Sequence, residues 1–155
     1  MKIHLIKVTL KDAKDIWEMQ VKAFKKLLDK YQDFETNPAN ESISNVEMRI
    51  KQNFTFFYFI CVDSKKVGAI RIIDYKEERK NKRISPIFIL PEYRNKGIAQ
   101  SAIKICEEIH GKNNWELSTI LQEKGNCYLY EKLGYHSIGK IQVINDKLTL
   151  IFYEK

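Results

Sequence analysis

The chain has 155 residues, a length that suits one domain around one sizeable core. Apolar residues make up 44% and charged residues 30%, which excludes disorder over most of the length. The formal charge of +7 favours anionic partners such as nucleic acid, phosphorylated cofactors or acidic surfaces, without choosing among them. The charges are spread along the whole chain, so a hydrated basic surface accounts for them equally well.

The opening "MKIHLIKVTLKD" has apolar residues interrupted by Lys and His. It reads as a strand over "KIHLIKV", and as neither a signal peptide nor a membrane span. Thr9 is placed to cap a helix, with Asp12 three residues on as a variant of the capping box. Ala13, Ile16, Trp17, Phe24, Leu27, Leu28 and Tyr31 then recur at helical spacing, predicting an amphipathic helix over 12–30. "QDFETNPANES" is a loop marked by Pro38. A shorter helix follows near 43–53.

"FTFFYFICV" is a strong strand rich in aromatics. "DSKK" turns the chain and "VGAIRIID" returns it. "YKEERKNK" is an exposed connection, and "RISPIFIL" is the next strand. After "PEYRNKGIAQ", Ala99, Ala102, Ile103, Cys106 and Ile109 line one face of a helix that Gly111 ends. "WELSTIL" is a strand and "NCYLYEKLG" a short helix stopped by Gly134. "YHSIGKIQVI" and "LTLIFYE" form a final hairpin across Asn145 and Asp146. The predicted order is β-α-α-β-β-β-α-β-α-β-β, a mixed α/β domain.

Three cysteines, Cys61, Cys106 and Cys127, match no zinc or redox spacing. Cys61 and Cys106 read as reduced core residues, and a cytoplasmic setting follows as the default. His4, His110 and His136 are scattered without a Cys, Asp or Glu partner at ligand spacing, so no metal is expected.

The junction "PEYRNKGIAQ" places Arg94 and Lys96 at the start of a helix. The first N–H groups of a helix lack intrahelical partners, and the helix dipole adds positive charge there. Such ends hold anions, most often phosphate. Gly97 removes the Cβ, so an anion can approach the backbone, and arginine can grip phosphate oxygens in pairs. A plain strand–turn–helix junction with exposed cations is the competing reading. No two glycines are separated by a single residue, and there is no G-x-x-x-x-G-K-[ST]. Dinucleotide and P-loop nucleotide fingerprints are therefore missing.

"RNKGIA" resembles the Gln/Arg-x-x-Gly-x-Gly/Ala element of the GNAT superfamily of N-acetyltransferases. It follows a strand ending in "LPEYR" and opens an amphipathic helix, as in that family. About thirty residues on, "GNCYLYEKLGY" resembles the family's second hallmark. Ala99 stands where many members have the second glycine, which the pattern permits.

The resemblance implies a GNAT fold over residues 1–155 as a single domain, with a mixed, mostly antiparallel central sheet flanked by helices. It implies acetyl-CoA as co-substrate and acetyl transfer to a primary amine by direct attack in a ternary complex. Backbone N–H groups of Arg94, Asn95, Lys96, Gly97, Ile98, Ala99 and Gln100 would hold the CoA pyrophosphate. Ile89 and Leu90 would pair with the pantetheine like an added strand, where a bulge or splay opens the sheet. An N–H at Ile89 or Leu90 would face the thioester carbonyl. Asn126 would bond the cofactor arm, and Tyr130 would act as general acid. Tyr128 and Tyr135 fit buried packing roles better than Tyr130 does.

No catalytic base stands out. Asp74, Glu77, Glu78 and Glu116 read as solvated carboxylates, and a water chain could serve instead. Asp33, Glu35, Glu41 and Glu47 lie in the region that walls the acceptor pocket in this family. They would favour a cationic amine, or simply form a hydrated acidic loop. Two other readings stay open: a CoA-binding domain without turnover, and a basic nucleic-acid-binding module, which the continuously apolar "FTFFYFICV" disfavours. A membrane partner is not expected, and a homodimer is left open.

Overall fold

The computed structural model describes every residue from Met1 to Lys155. Its elements are β1 (Ile3–Lys7), α1 (Ala13–Tyr31), α2 (Ile43–Lys51), β2 (Thr55–Val62), β3 (Lys65–Ile73) and β4 (Lys82–Ile89). They continue with α3 (Ile98–His110), β5 (Trp115–Ile120), α4 (Lys124–Lys132), β6 (His136–Val143) and β7 (Thr149–Glu154). The order is the one the sequence pattern predicts, with boundaries shifted by one or two residues, as helix ends fray. Thr9 and Asp12 do form a capped start. The Asp12 carboxylate accepts the Thr9 N–H at 2.8 Å, but the turn they cap is a short 3-10 segment that leads into α1.

All seven strands join one sheet in the order β1-β2-β3-β4-β5-β7-β6. Every pairing is antiparallel except β4 with β5. The final hairpin is therefore folded back so that β7 lies beside β5 and β6 forms the edge, an arrangement that strand spacing alone does not reveal.

Strand alternation sorts the core into two layers. Phe57, Phe59 and Cys61 of β2, Ala69 and Phe88 meet Ala13, Ile16 and Ala23 of α1 and Val46 of α2. On the other face, Ile60, Val67, Ile70, Ile72, Ile84 and Ile89 meet α3 and α4 through Ile98, Ala102, Ile103, Cys106, Cys127 and Tyr130. The aromatic run is thus core, and all three cysteines are buried thiols. Ile109 departs from its expected place on the buried face of α3, because it is exposed. Glu107 turns inward instead, accepting the Tyr135 hydroxyl at 3.0 Å and Lys155 Nζ at 3.1 Å.

Two further expectations change. His110 has partners: Nδ1 lies 2.9 Å from Asp74 Oδ2 and Nε2 lies 3.0 Å from the Tyr58 hydroxyl. Asp74 is not a solvated carboxylate but is 6% exposed. Sequence spacing could not show this pair, since the two residues are 36 apart and meet only when α3 ends over the end of β3. Burial holds the His110 pKa below its ordinary value, against the pull of Asp74. Burial alone would raise Asp74, but hydrogen bonds from the Lys76 N–H and His110 outweigh it and lower its pKa.

The parallel contact of β4 with β5 covers only Lys82↔Trp115 and Arg83↔Glu116. Beyond Arg83 the strands diverge, while β5 goes on pairing with β7 through Ile120↔Leu150. The other edge of β4 stays fastened to β3 up to Gly68↔Ile89. Gly68 makes that approach possible, since a Cβ there would meet the Phe88 carbonyl oxygen at 2.2 Å.

Gly68→Ala therefore forces β3 and β4 apart and should lower stability by about 1–3 kcal/mol in urea unfolding. For the His110 pair, the folded state binds a proton less readily than the unfolded chain, so stability falls as pH drops below about 6.5. The Asp74 contribution, present above its ordinary value of about 3.8, is lost at lower pH still. Urea midpoints at pH 7.5 and 5.5 should differ less in His110→Gln than in the parent protein.

Candidate active site

The divergence of β4 from β5 opens a cavity of about 1180 Å³, larger than most drug-sized ligand sites. Its walls come from the second half of α1, the end of β4, the start of α3, and α4. Of the expected residues, Ile89, Arg94, Asn95, Gly97, Ile98, Ala99, Gln100, Asn126 and Tyr130 border this one space. Leu90 and Lys96 do not. Leu90 donates its N–H to the Val67 carbonyl at 2.8 Å, and Lys96 Nζ lies 5.8 Å from the Tyr93 ring centroid.

The Leu90 bond sets the polarity of the whole strand end. In an antiparallel ladder, alternate residues turn their N–H and C=O toward the same neighbour. With Leu90 bonded to β3, Ile89 and Ile87 turn their amides the other way, into the space left by β5. Ile87 borders the cavity too and is not singled out by the motif. Its signal in the sequence is the period of two that links it to Ile89.

Arg94 plays an unexpected part. Its Nε donates to the Ile89 carbonyl at 3.0 Å and its Nη2 to the Ala23 carbonyl at 2.6 Å. The guanidinium thus latches the end of β4 to α1 across the cavity. Two of its donor atoms are engaged before any anion arrives.

The turn into α3 carries left-handed backbone at Asn95 (φ 61°) and Gly97 (φ 77°). Gly97 is the N-cap of α3, and the N–H groups of the first turn have no intrahelical acceptor. A Cβ on Gly97 would touch nothing within 4 Å, so the conformation rather than crowding calls for glycine.

Tyr130 projects from α4 and is 7% exposed. Its hydroxyl pKa is pushed up to about 12, by burial first and by neighbouring Cys127 second. Tyr135 is a packing residue, as expected. Tyr128 is not: it is 67% exposed at the cavity rim. The helix turn separating Tyr128 from Tyr130 puts them on different faces, which sequence proximity hides.

The carboxylates of the cavity are Asp29 and Glu123. Glu123 accepts the Tyr31 hydroxyl at 2.5 Å and pairs with Lys30 Nζ at 3.0 Å. The Tyr31 bond above all, with Lys30, holds its pKa down against burial. Asp74, Glu77 and Glu78 instead border a separate polar recess of about 610 Å³. Glu116 lies at the start of β5, opposite Arg83. None of these four borders the main cavity.

The acidic loop is half internal. Asp33 accepts the Thr36 N–H at 3.0 Å and the Thr36 hydroxyl. Glu41 takes Gln20 Nε2 at 2.8 Å and Arg49 Nη1 at 2.7 Å. Glu35 is exposed and Glu47 half-buried.

Comparison with known proteins bears on the family and the fold. The family described as "Acetyltransferase (GNAT) domain" matches residues 13–155. The chain belongs to that family, whose chemistry is acyl transfer from acetyl-CoA. No curated protein matches the sequence. Among solved structures, the spermidine N-acetyltransferase of Vibrio cholerae, in complex with CoA and spermine, aligns with a TM-score of 0.76 at 17% identity. That alignment covers 97% of this chain and 93% of that one. The PaiA N-acetyltransferase of Thermoplasma acidophilum, in complex with coenzyme A, aligns at 0.74 and 17% identity over 100% of both chains. The microcin C7 self-immunity acetyltransferase MccE, in complex with acetyl-CoA and AMP, aligns at 0.76 and 18% identity, over 99% of this chain and 92% of that one. At these identities the likeness is one of fold.

The latch makes its own prediction. Arg94→Met, measured with no ligand added, should cost about 1–3 kcal/mol in urea unfolding, because two backbone carbonyls lose a charged donor. An arginine that served only to hold phosphate would leave that midpoint unmoved.

Proposed function

We propose that this protein is an N-acetyltransferase, one catalytic domain over residues 1–155, that moves the acetyl group of acetyl-CoA to a primary amine by direct attack. The observation that carries this reading is the free edge of β4. Two inward amides, at Ile87 and Ile89, face a cavity continuous with the helix-start cradle at Gly97. An extended pantetheine arm can pair with such an edge as an added strand. The N–H groups of Asn95, Gly97, Ile98, Ala99 and Gln100 then meet the pyrophosphate, with the α3 dipole behind them, while the Arg94 N–H stays with the Pro91 carbonyl at 3.3 Å. Asn126, exposed at the start of α4, offers its side-chain amide to the arm.

Acetyl-CoA supplies the activated acyl group. The deeper amide of the edge, at Ile87 or Ile89, donates to the thioester carbonyl oxygen as negative charge develops there. The acceptor enters as a free amine. Its nitrogen bonds to the carbonyl carbon, the C–S bond breaks, and the proton shed by nitrogen leaves through water. Tyr130 donates a hydrogen bond to the departing sulfur. A hydroxyl with pKa near 12 would yield its proton to a thiolate, pKa about 8.5, only about 5 kcal/mol uphill. Hydrogen-bond donation needs no such transfer.

Tyr130→Phe should lower kcat about 10²-fold while leaving acetyl-CoA affinity within a factor of two. A loss under threefold removes Tyr130 from this role. The reading itself is tested by amine-dependent release of CoA thiol across an amine panel. Tight acetyl-CoA binding with no release for any amine would instead define a CoA-binding domain without turnover.

A further inference from the structure

Arg71 sits in the middle of β3, paired with Phe57 of β2. Only 7% of its surface reaches solvent, and its Nε and Nη1 are enclosed without a hydrogen-bond acceptor. Burying a guanidinium this way removes its hydration and leaves nothing in its place. Buried donors in folded proteins are nearly always satisfied, so an orphan of this kind marks a missing partner.

The surroundings do not supply one. Burial pulls the Arg71 pKa down to about 10, and Arg49 and Arg83 push it the same way. Glu41 opposes them, but its carboxylate is already engaged by Arg49 and Gln20. Arg83 offers Nη2 to the Ser118 hydroxyl at 3.3 Å, a neutral acceptor. Arg71 is thus flanked by two further guanidiniums, with Glu41 committed to Arg49 and Glu116 in register with Arg83 on β5.

That place lies one strand in from the cavity, whose wall includes Ile87 but neither Arg71 nor Arg83. Alternation along β3 puts Arg71 on the face of Ala69 and Phe57, the one α1 and α2 cover. The β3–β4 register passes from Ile70↔Ile87 to Ile72↔Ile84, so Arg71 stands against the β4 irregularity, next to Ile87. One strand across and one residue along is on the order of 6 Å between Cα atoms. Tyr130 lies in the layer on the opposite face, with α3 and α4. A cofactor arm held in the wedge would therefore have one side toward Tyr130 and the other toward the layer that holds Arg71, which stands behind Ile87 rather than on the cavity wall.

We propose that Arg71, with Arg83 beside it, is an oxyanion subsite for the acceptor, and that the acceptor is an amine carrying a carboxylate or phosphate group near its amino group. This rests on the acetyl-transfer reading above. It replaces a polycation-selecting acidic loop with a basic floor, in keeping with the internal engagement of Asp33 and Glu41.

The test uses acceptors in pairs that differ only in the anion: phenylalanine with phenethylamine, and O-phosphoethanolamine with ethanolamine, followed by CoA-thiol release. One anionic member should exceed its neutral analogue by about 10²-fold in kcat/KM. The carboxylate and phosphate arms say which anion the subsite takes. In Arg71→Met that ratio should fall to within threefold, with the neutral amine unchanged and the urea midpoint no lower than in the parent. Neutral amines preferred in both pairs, or a ratio that survives Arg71→Met, overturns the proposal. A second measurement is independent of turnover: inorganic phosphate should raise Tm more in the parent than in Arg71→Met. Equal shifts assign the anion to the α3 cradle and Arg71 to internal water, and also overturn it. If no amine releases thiol yet the Tm difference stands, the acetyl-transfer reading fails while the anion site holds. Should Arg71→Met fail to fold, Arg83→Met is read in both assays.

Discussion

The divergence of β4 from β5 governs this structure. Two residues of parallel pairing hold the strands together, and then one edge of β4 runs on unpaired inside the fold. Backbone N–H and C=O groups left without partners in a protein interior are costly. The edge is tolerable because it lines a cavity that water or a ligand can fill, and because Arg94 takes the Ile89 carbonyl. Apart from the Arg94 latch, what secures this end of β4 acts from its other side. Gly68 lets β3 close against Phe88, and the Leu90 N–H reaches Val67. The free edge is thus a rigid feature, held open rather than frayed.

α3 connects the two ends of this arrangement. Its 13 residues span about 20 Å, from the Gly97 cap at the cavity to His110 at the far end of the sheet. The cavity end is rich in unpaired donors and left-handed backbone. The far end is closed by the Tyr58–His110–Asp74 chain, whose members are buried or half-buried and mutually bonded. The contrast locates binding at one end and anchoring at the other. It also separates the carboxylates. Asp74 serves the anchor, while Glu123 ties the loop before α4 to the end of α1 through Tyr31 and Lys30.

Much of this was legible in the sequence because local signals were consistent. The apolar periods of two and 3.6, the turn residues and the two motifs all pointed to the same element order. The motif also brought Arg94 through Gln100 to one place, because a strand–turn–helix junction is a local structure. What stayed hidden depended on distance along the chain. The insertion of β7 between β5 and β6 involves a choice of partner that hairpin spacing does not record. The Arg94 latch depends on Ala23, 71 residues away, and the His110 pair on Asp74. Arg71 read as one polar residue in a strand, and only the packing of α2 and β4 around it exposed its missing partner. Tyr128 was misjudged because neighbours two apart on a helix do not share a face.

The central claim is that the inward edge of β4 receives the acetyl-CoA arm as an added strand. Residue-resolved amide hydrogen exchange, with and without acetyl-CoA, tests it most directly. The account predicts that the Ile87 and Ile89 amides exchange freely in the absence of acetyl-CoA and become protected when it binds. The Leu90 amide, already bonded to Val67, should change little. Protection confined to other strands, with Ile87 and Ile89 unaltered by saturating acetyl-CoA, would contradict it.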